Sequence, residues 1–220
     1  MTLDRAHVAH ATVATVAIAA LLLQLALVIS GSAVLVDQDP PGLFTRLGRF
    51  VSYFTIQSNL LVAAASVMLA RHPDRTTPWL RILRLAGLVG ITITAVVHFF
   101  LLRPLLDLAG ADWAADKLLH MVVPALAILV WVIAGPRPMV RGRDVVLAMA
   151  WPAAWLVWTL VVGQLSGWVP YPFLDTDAEG WASVAVACVG VLVLMLAVFA
   201  LVAWLDRRLP SEPRRMPTSG

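Results

Sequence analysis

Charge is scarce in this chain. Asp, Glu, Lys and Arg make up 13% of its 220 residues, and 60% are apolar. A soluble domain carries about 25% charged and about 45–50% apolar residues. Too few charges are present to coat a water-facing surface, which excludes a soluble fold. Cysteine is nearly absent: the single Cys188 rules out an intrachain disulfide and a cysteine-based metal site. No GxGxxG, P-loop, HExxH or CxxC pattern occurs, so no cofactor is expected. No internal repeat is visible, which removes the usual sequence pointer to an inverted-repeat transporter. The basic balance, 16 Lys and Arg against 13 Asp and Glu, is explained by where those residues fall rather than by a nucleic-acid partner.

Six long apolar runs are present instead: Val13–Val36, Val51–Ala70, Leu85–Leu102, Leu118–Ala134, Val145–Gly163 and Trp181–Leu205. About 20 helical residues cross the hydrocarbon core, with a range of roughly 17–25, whereas a transmembrane barrel shows short alternating segments. The expected fold is therefore all-α, a bundle of six transmembrane helices over residues 1–205. Arg5 before the first run and Ser30-Gly31-Ser32-Ala33 after it resemble a secretory signal. The run exceeds the roughly 7–15 apolar residues of a signal peptide, so it reads as a retained signal anchor. Arg5, Arg71, Arg75, Arg81, Arg84, Arg137, Arg141, Arg143, Arg207, Arg208, Arg214 and Arg215 fall on one side, and Arg46, Arg49, Arg103 and Lys117 on the other. The positive-inside rule then puts both termini in the cytoplasm. Residues 206–220, rich in Arg and Pro, read as a disordered basic tail that meets anionic lipid.

Polar groups inside a bilayer are costly, so each one is informative. With this topology Thr55, His98 and His120 share one layer beneath the outer surface. Ser52, Thr55 and Asn59 follow i, i+3, i+7 spacing on one helical face, with Ser66 further along. Such a stripe, taken alone, is more often interhelical hydrogen bonding than a site. Asn59 also suits an oxyanion donor. Pro124 has no N–H for the His120 carbonyl, so a bend is expected at the histidine. His98 reads equally as a site residue or an interfacial histidine. The segment Gly167-Trp168-Val169-Pro170-Tyr171-Pro172-Phe173-Leu174-Asp175 reads as a lid over this layer or as an aromatic belt anchor. Trp151, Trp155 and Trp158 pack or line a lipid-like cavity, and Gly87 and Gly90 permit close helix contact. A threonine hydroxyl is a weak nucleophile and needs an adjacent base, for which histidine is the side chain most often used. The alternatives are a haem held by His98 and His120 and a lipid-binding protein without catalysis.

Phe54-Thr55-Ile56-Gln57-Ser58-Asn59-Leu60-Leu61, Leu119-His120 followed by Pro124, and Tyr171-Pro172-Phe173-Leu174 together resemble a known family. It is that of the androgen-induced protein and the androgen-dependent TFPI-regulating protein, in particular its bacterial six-span branch. The motifs are short, but their order and spacing agree over most of the membrane core. The resemblance implies a threonine hydrolase that cleaves fatty acid esters of hydroxy fatty acids, in the cytoplasmic membrane of a bacterium. Thr55 matches the nucleophile position and His120 the histidine, while Gln57-Ser58-Asn59 belongs to the bacterial branch rather than to the characterised enzymes. Ser52, Asn59, His98, Trp168 and Tyr171 are the accompanying candidates for substrate or oxyanion binding. No third catalytic group is expected, since Asp116 is placed one turn back toward water.

Overall fold

The structure, a computed structural model, describes residues 3–32 and 41–210. The described residues form helices and no strand. Eight α-helices succeed one another: α1 Leu3–Ser30, α2 Leu43–Ser52, α3 Phe54–Arg71, α4 Pro78–Val97, α5 Gly110–Lys117, α6 Val123–Ile133, α7 Gly142–Ser166 and α8 Thr176–Arg208. A π turn, His98–Leu102, and a 3-10 turn, Arg103–Leu105, prolong α4, and a π turn, Leu118–Val122, joins α5 to α6. Six helical segments are long and apolar enough to cross a membrane: Arg5–Ser30, Phe54–Arg71, Pro78–Leu105, Gly110–Ile133, Gly142–Ser166 and Thr176–Arg208, the last kinked near its start at Gly180 (φ 77°). The protein is a multi-pass helical membrane bundle.

Several boundaries differ from the sequence reading. The first span begins near the chain start and ends at Ser30, because Gly31 at φ 94° leaves the helical region. The second is shorter than the run Val51–Ala70. Tyr53 is extended (φ −68°, ψ 128°) and separates the short helix α2 from α3. Nothing on α2 is buried, and Phe44 is 90% exposed, as suits an amphipathic helix in the interface plane. At the other end α8 continues through Asp206 to Arg208, where a disordered tail was expected to begin. The Asp206 carboxylate is buried and accepts the Met139 and Val140 N–H groups at 2.7 and 2.9 Å. The remainder of that tail, with Arg214 and Arg215, lies outside the described residues, as do residues 33–36 at the end of the first apolar run.

α3 and α4 form the centre, with over half of each buried, whereas only about a fifth of α7 and α8 is buried. Close approach at the centre depends on small residues. A Cβ on Gly90 would stand 2.8 Å from the Trp151 ring and 3.0 Å from Ser58 Oγ. Gly87 meets the Leu61 and Val62 backbone in the same way. At the end away from Thr55, Arg81 Nε donates to Asp144 at 2.8 Å and ties α4 to α7. Removing one partner of such a buried pair costs about 3–5 kcal/mol, because the other charge is stranded. Arg84 donates to the Ala134 carbonyl at 3.1 Å, holding the turn after α6. α7 ends at Gly167 (φ 67°), a left-handed conformation that residues with a Cβ rarely adopt. This stop turns the chain back over the site, and Asp175 then caps α8 by accepting the Asp177 and Ala178 N–H groups.

Candidate active site

Thr55 is the second residue of α3, directly after the extended Tyr53. Its Oγ1 lies 3.2 Å from His120 Nε2 and 3.2 Å from the Tyr171 hydroxyl. The Thr55 N–H also donates to that hydroxyl, at 3.2 Å. On the far side of the imidazole, His120 Nδ1 stands 3.0 Å from the Asp116 carbonyl and 3.1 Å from the Asp116 carboxylate. Both are acceptors, so Nδ1 is assigned the proton and Nε2 presents its lone pair to the threonine. Tyr171, Thr55, His120 and the Asp116 backbone carbonyl thus form one continuous hydrogen-bonded line, and the Asp116 carboxylate lies beside Nδ1 without hydrogen-bond alignment. Burial pushes the Tyr171 phenol up to about 12, so it stays a neutral donor at working pH.

The helix geometry explains why His120 reaches Thr55. Pro124 cannot donate to the His120 carbonyl, and the helix responds with a π turn rather than a simple bend: the Val123 N–H reaches back to Leu118 O. The other π turn carries His98, and the Arg103 N–H reaches back to His98 O. Each ends two residues before a proline, Pro104 or Pro124. Such insertions recur at functional sites because they re-aim side chains. His98, 2% exposed, stacks on His120 with ring centroids 3.9 Å apart and planes 13° apart. Its Nε2 is 3.4 Å from the same Asp116 carboxylate.

A cavity of about 320 Å³ reaches this line from the end of the bundle where α2 lies. Thr55, His98, Asp116, His120 and Tyr171 lie on its wall, together with Arg46 and Arg49. The loop after α7 covers it. Trp168, half-buried, meets Tyr53 edge-on at 5.9 Å and lies beneath the Arg49 guanidinium at 5.1 Å. Tyr171 is 7% exposed and stacks on Phe173 at 5.5 Å.

Of the seven residues singled out in the sequence, five therefore meet: Thr55, His120, His98, Tyr171 and Trp168. Asn59 and Ser52 do not line the cavity. Asn59 is fully buried behind Thr55, and its amide donates to the Thr55 and Leu119 carbonyls at 2.8 and 3.3 Å. It braces α3 against the π turn and cannot face an oxyanion. Ser52 belongs to α2, so the i, i+3 relation to Thr55 is lost at Tyr53. Its hydroxyl donates to Gly48 O. Trp151 and Trp155 turn inward, donating to Gln57 Oε1 and Ser52 O at 2.8 Å each, whereas Trp158 is 60% exposed. The residue passed over is Asp116, 6% exposed and also paired with Lys117 at 2.8 Å. The signal was its i, i+4 spacing to His120.

His98, Asp116 and His120 offer three ligand atoms within 4.8 Å of one another, enough to consider a cation. A ligated ion lies in the plane of each imidazole, and two nearly parallel rings 3.9 Å apart share no such point without rotating. The donor set as it stands suits proton transfer better than coordination. No family profile, curated protein or solved structure matches the chain.

Proposed function

We propose that this protein is an intramembrane hydrolase of lipid esters, a fatty acid ester of a hydroxy fatty acid or a close analogue, with Thr55 as nucleophile. The observation that carries the reading is the line from Tyr171 through Thr55 and His120 to Asp116. Thr55 Oγ1 attacks the ester carbonyl carbon while its proton passes to His120 Nε2. The carbonyl becomes an oxyanion, and the Tyr171 O–H is placed to donate to it. The intermediate collapses as the carbon–oxygen bond to the alcohol breaks and His120 returns the proton to the leaving oxygen. Water then attacks the acyl-threonine, again losing its proton to His120, and the acid departs as Thr55 regains its proton. Asp116 holds the tautomer and stabilises the imidazolium, as the third member of other hydrolytic triads does. The sequence resemblance supports the same reading, and with it an outward-facing site in a bacterial cytoplasmic membrane. A haem between His98 and His120 is served less well, because an iron needs the two ring nitrogens opposed rather than the ring faces stacked.

The test is a set of variants labelled with a fluorophosphonate probe and assayed on a long-chain ester. Thr55→Ala should abolish both signals, Thr55→Ser should retain part of each, and His120→Ala should match Thr55→Ala because residues of one catalytic unit are not additive. An interhelical hydrogen bond without a catalytic role averages about 0.6 kcal/mol, and its loss would leave both signals intact. A monodisperse Thr55→Ala protein that cleaves the ester at the wild-type rate overturns the assignment.

A further inference from the structure

A second cavity, about 390 Å³, lies between α4, α7 and α8. Both cavities fall in the range of about 300–1,000 Å³ typical of ligand sites. Thr55 and Tyr171 line both, so the threonine belongs to the wall between two chambers. The chambers differ in chemistry. The outer one carries two arginines, two aspartates and both histidines. The inner one has no charged residue on its wall, and its polar side-chain atoms belong to Thr55, Thr94, Trp155, Tyr171 and Cys188. Thr94 already donates to Ser58 Oγ at 3.3 Å. Val157, Val189 and Leu192 line it while 64%, 59% and 47% exposed, so it opens sideways between α7 and α8 toward lipid.

We propose that the inner chamber is the acyl-chain subsite of the reaction above, loaded laterally from the bilayer, and that the alcohol portion and water use the outer chamber. The inference rests on the hydrolase reading, and proton transfer sets its direction. His120 must protonate the leaving oxygen and later deprotonate the attacking water. It lines the outer chamber and not the inner one, so leaving group and water belong on that side. With the carbonyl carbon at Thr55 Oγ1, the acyl chain extends through the wall into the apolar chamber. The occupant is thus a fatty acyl chain.

Cys188 lines this chamber and is the chain's one cysteine, so a thiol reagent reports a single place. The intact protein in detergent is alkylated with N-ethylmaleimide in the presence of palmitate or butyrate. Palmitate should slow alkylation saturably, by about tenfold at ten times its half-protecting concentration, as mass action requires, and butyrate should not. The protection should persist in Thr55→Ala, which separates binding from chemistry. Cys188→Phe, which narrows the chamber, should lower the preference for long-chain over short-chain p-nitrophenyl esters by at least about tenfold, since each buried methylene is worth several-fold in affinity. Ester cleavage with no protection of Cys188, and unchanged chain-length preference in Cys188→Phe, overturns the subsite while leaving the hydrolase. Protection without ester cleavage keeps a fatty-acyl site and removes the hydrolase.

Discussion

Asp116 decides what His120 can do. Its carboxylate and carbonyl both face Nδ1, and an imidazole between such acceptors keeps its basic nitrogen toward Thr55. Asp116→Asn preserves size but adds an N–H donor at this position, which favours the tautomer with Nε2 protonated. Loss of the equivalent orienting carboxylate in a serine protease costs about 10⁴ in kcat. Ester cleavage by the variant should fall by about 10²–10⁴ on the same argument, in kcat rather than KM, because no substrate contact is removed. Measured kcat within a factor of a few of wild type would mean that His120 is positioned by its helix alone. Asn59 belongs to the same scale. A fully buried amide beside a candidate nucleophile suggests an oxyanion donor, yet here both its hydrogens serve backbone carbonyls of two helices.

The π turn Leu118–Val122 aims His120, and Pro124 is the reason it persists. A proline in a helix interior costs about 3 kcal/mol relative to alanine, so this position has given up stability for geometry. Pro124→Ala restores an N–H for the His120 carbonyl and lets the turn relax to an ordinary α-helix, rotating the imidazole away from Thr55. The variant should unfold at a temperature no lower than wild type while its ester cleavage drops at least about tenfold, since catalytic contact requires roughly 2.6–3.2 Å. Full activity together with unchanged stability would show that the π turn is incidental. The apolar cleft between α7 and α8 belongs to this scale too. Both helices rest on α4 and are mostly lipid-facing, so neither is held shut against the other.

The whole bundle is polarised. The site, its lid and the interfacial helix α2 occupy one end, and the Arg81–Asp144 pair, Arg84 and Asp206 lock the other. Among the described residues, ten of the fourteen basic side chains belong to the second side, and loops rich in Lys and Arg stay in the cytoplasm. Fusions of alkaline phosphatase and green fluorescent protein to the C-terminus measure this directly. The fluorescent fusion should be bright and the phosphatase inactive. An active phosphatase would invert the molecule and place the candidate site at the cytoplasmic face.

Composition and run length alone determined that this is a six-span helical membrane protein, because the hydrocarbon core admits only helices or closed barrels and sets their length. Thr55, His120 and His98 could be placed in one layer from the order of the spans, since depth in a bilayer follows directly from position along a helix. Which side chains touch was a different matter, because it depends on rotation about each helix axis. Two π turns and the break at Tyr53 reset that rotation, drawing Asp116 and His98 onto His120 and leaving Ser52 aside. The separation of a charged chamber from an apolar one at Thr55 was decided by tertiary structure alone. It arises from where α4, α7, α8 and the covering loop meet, and no local stretch of sequence encodes that meeting.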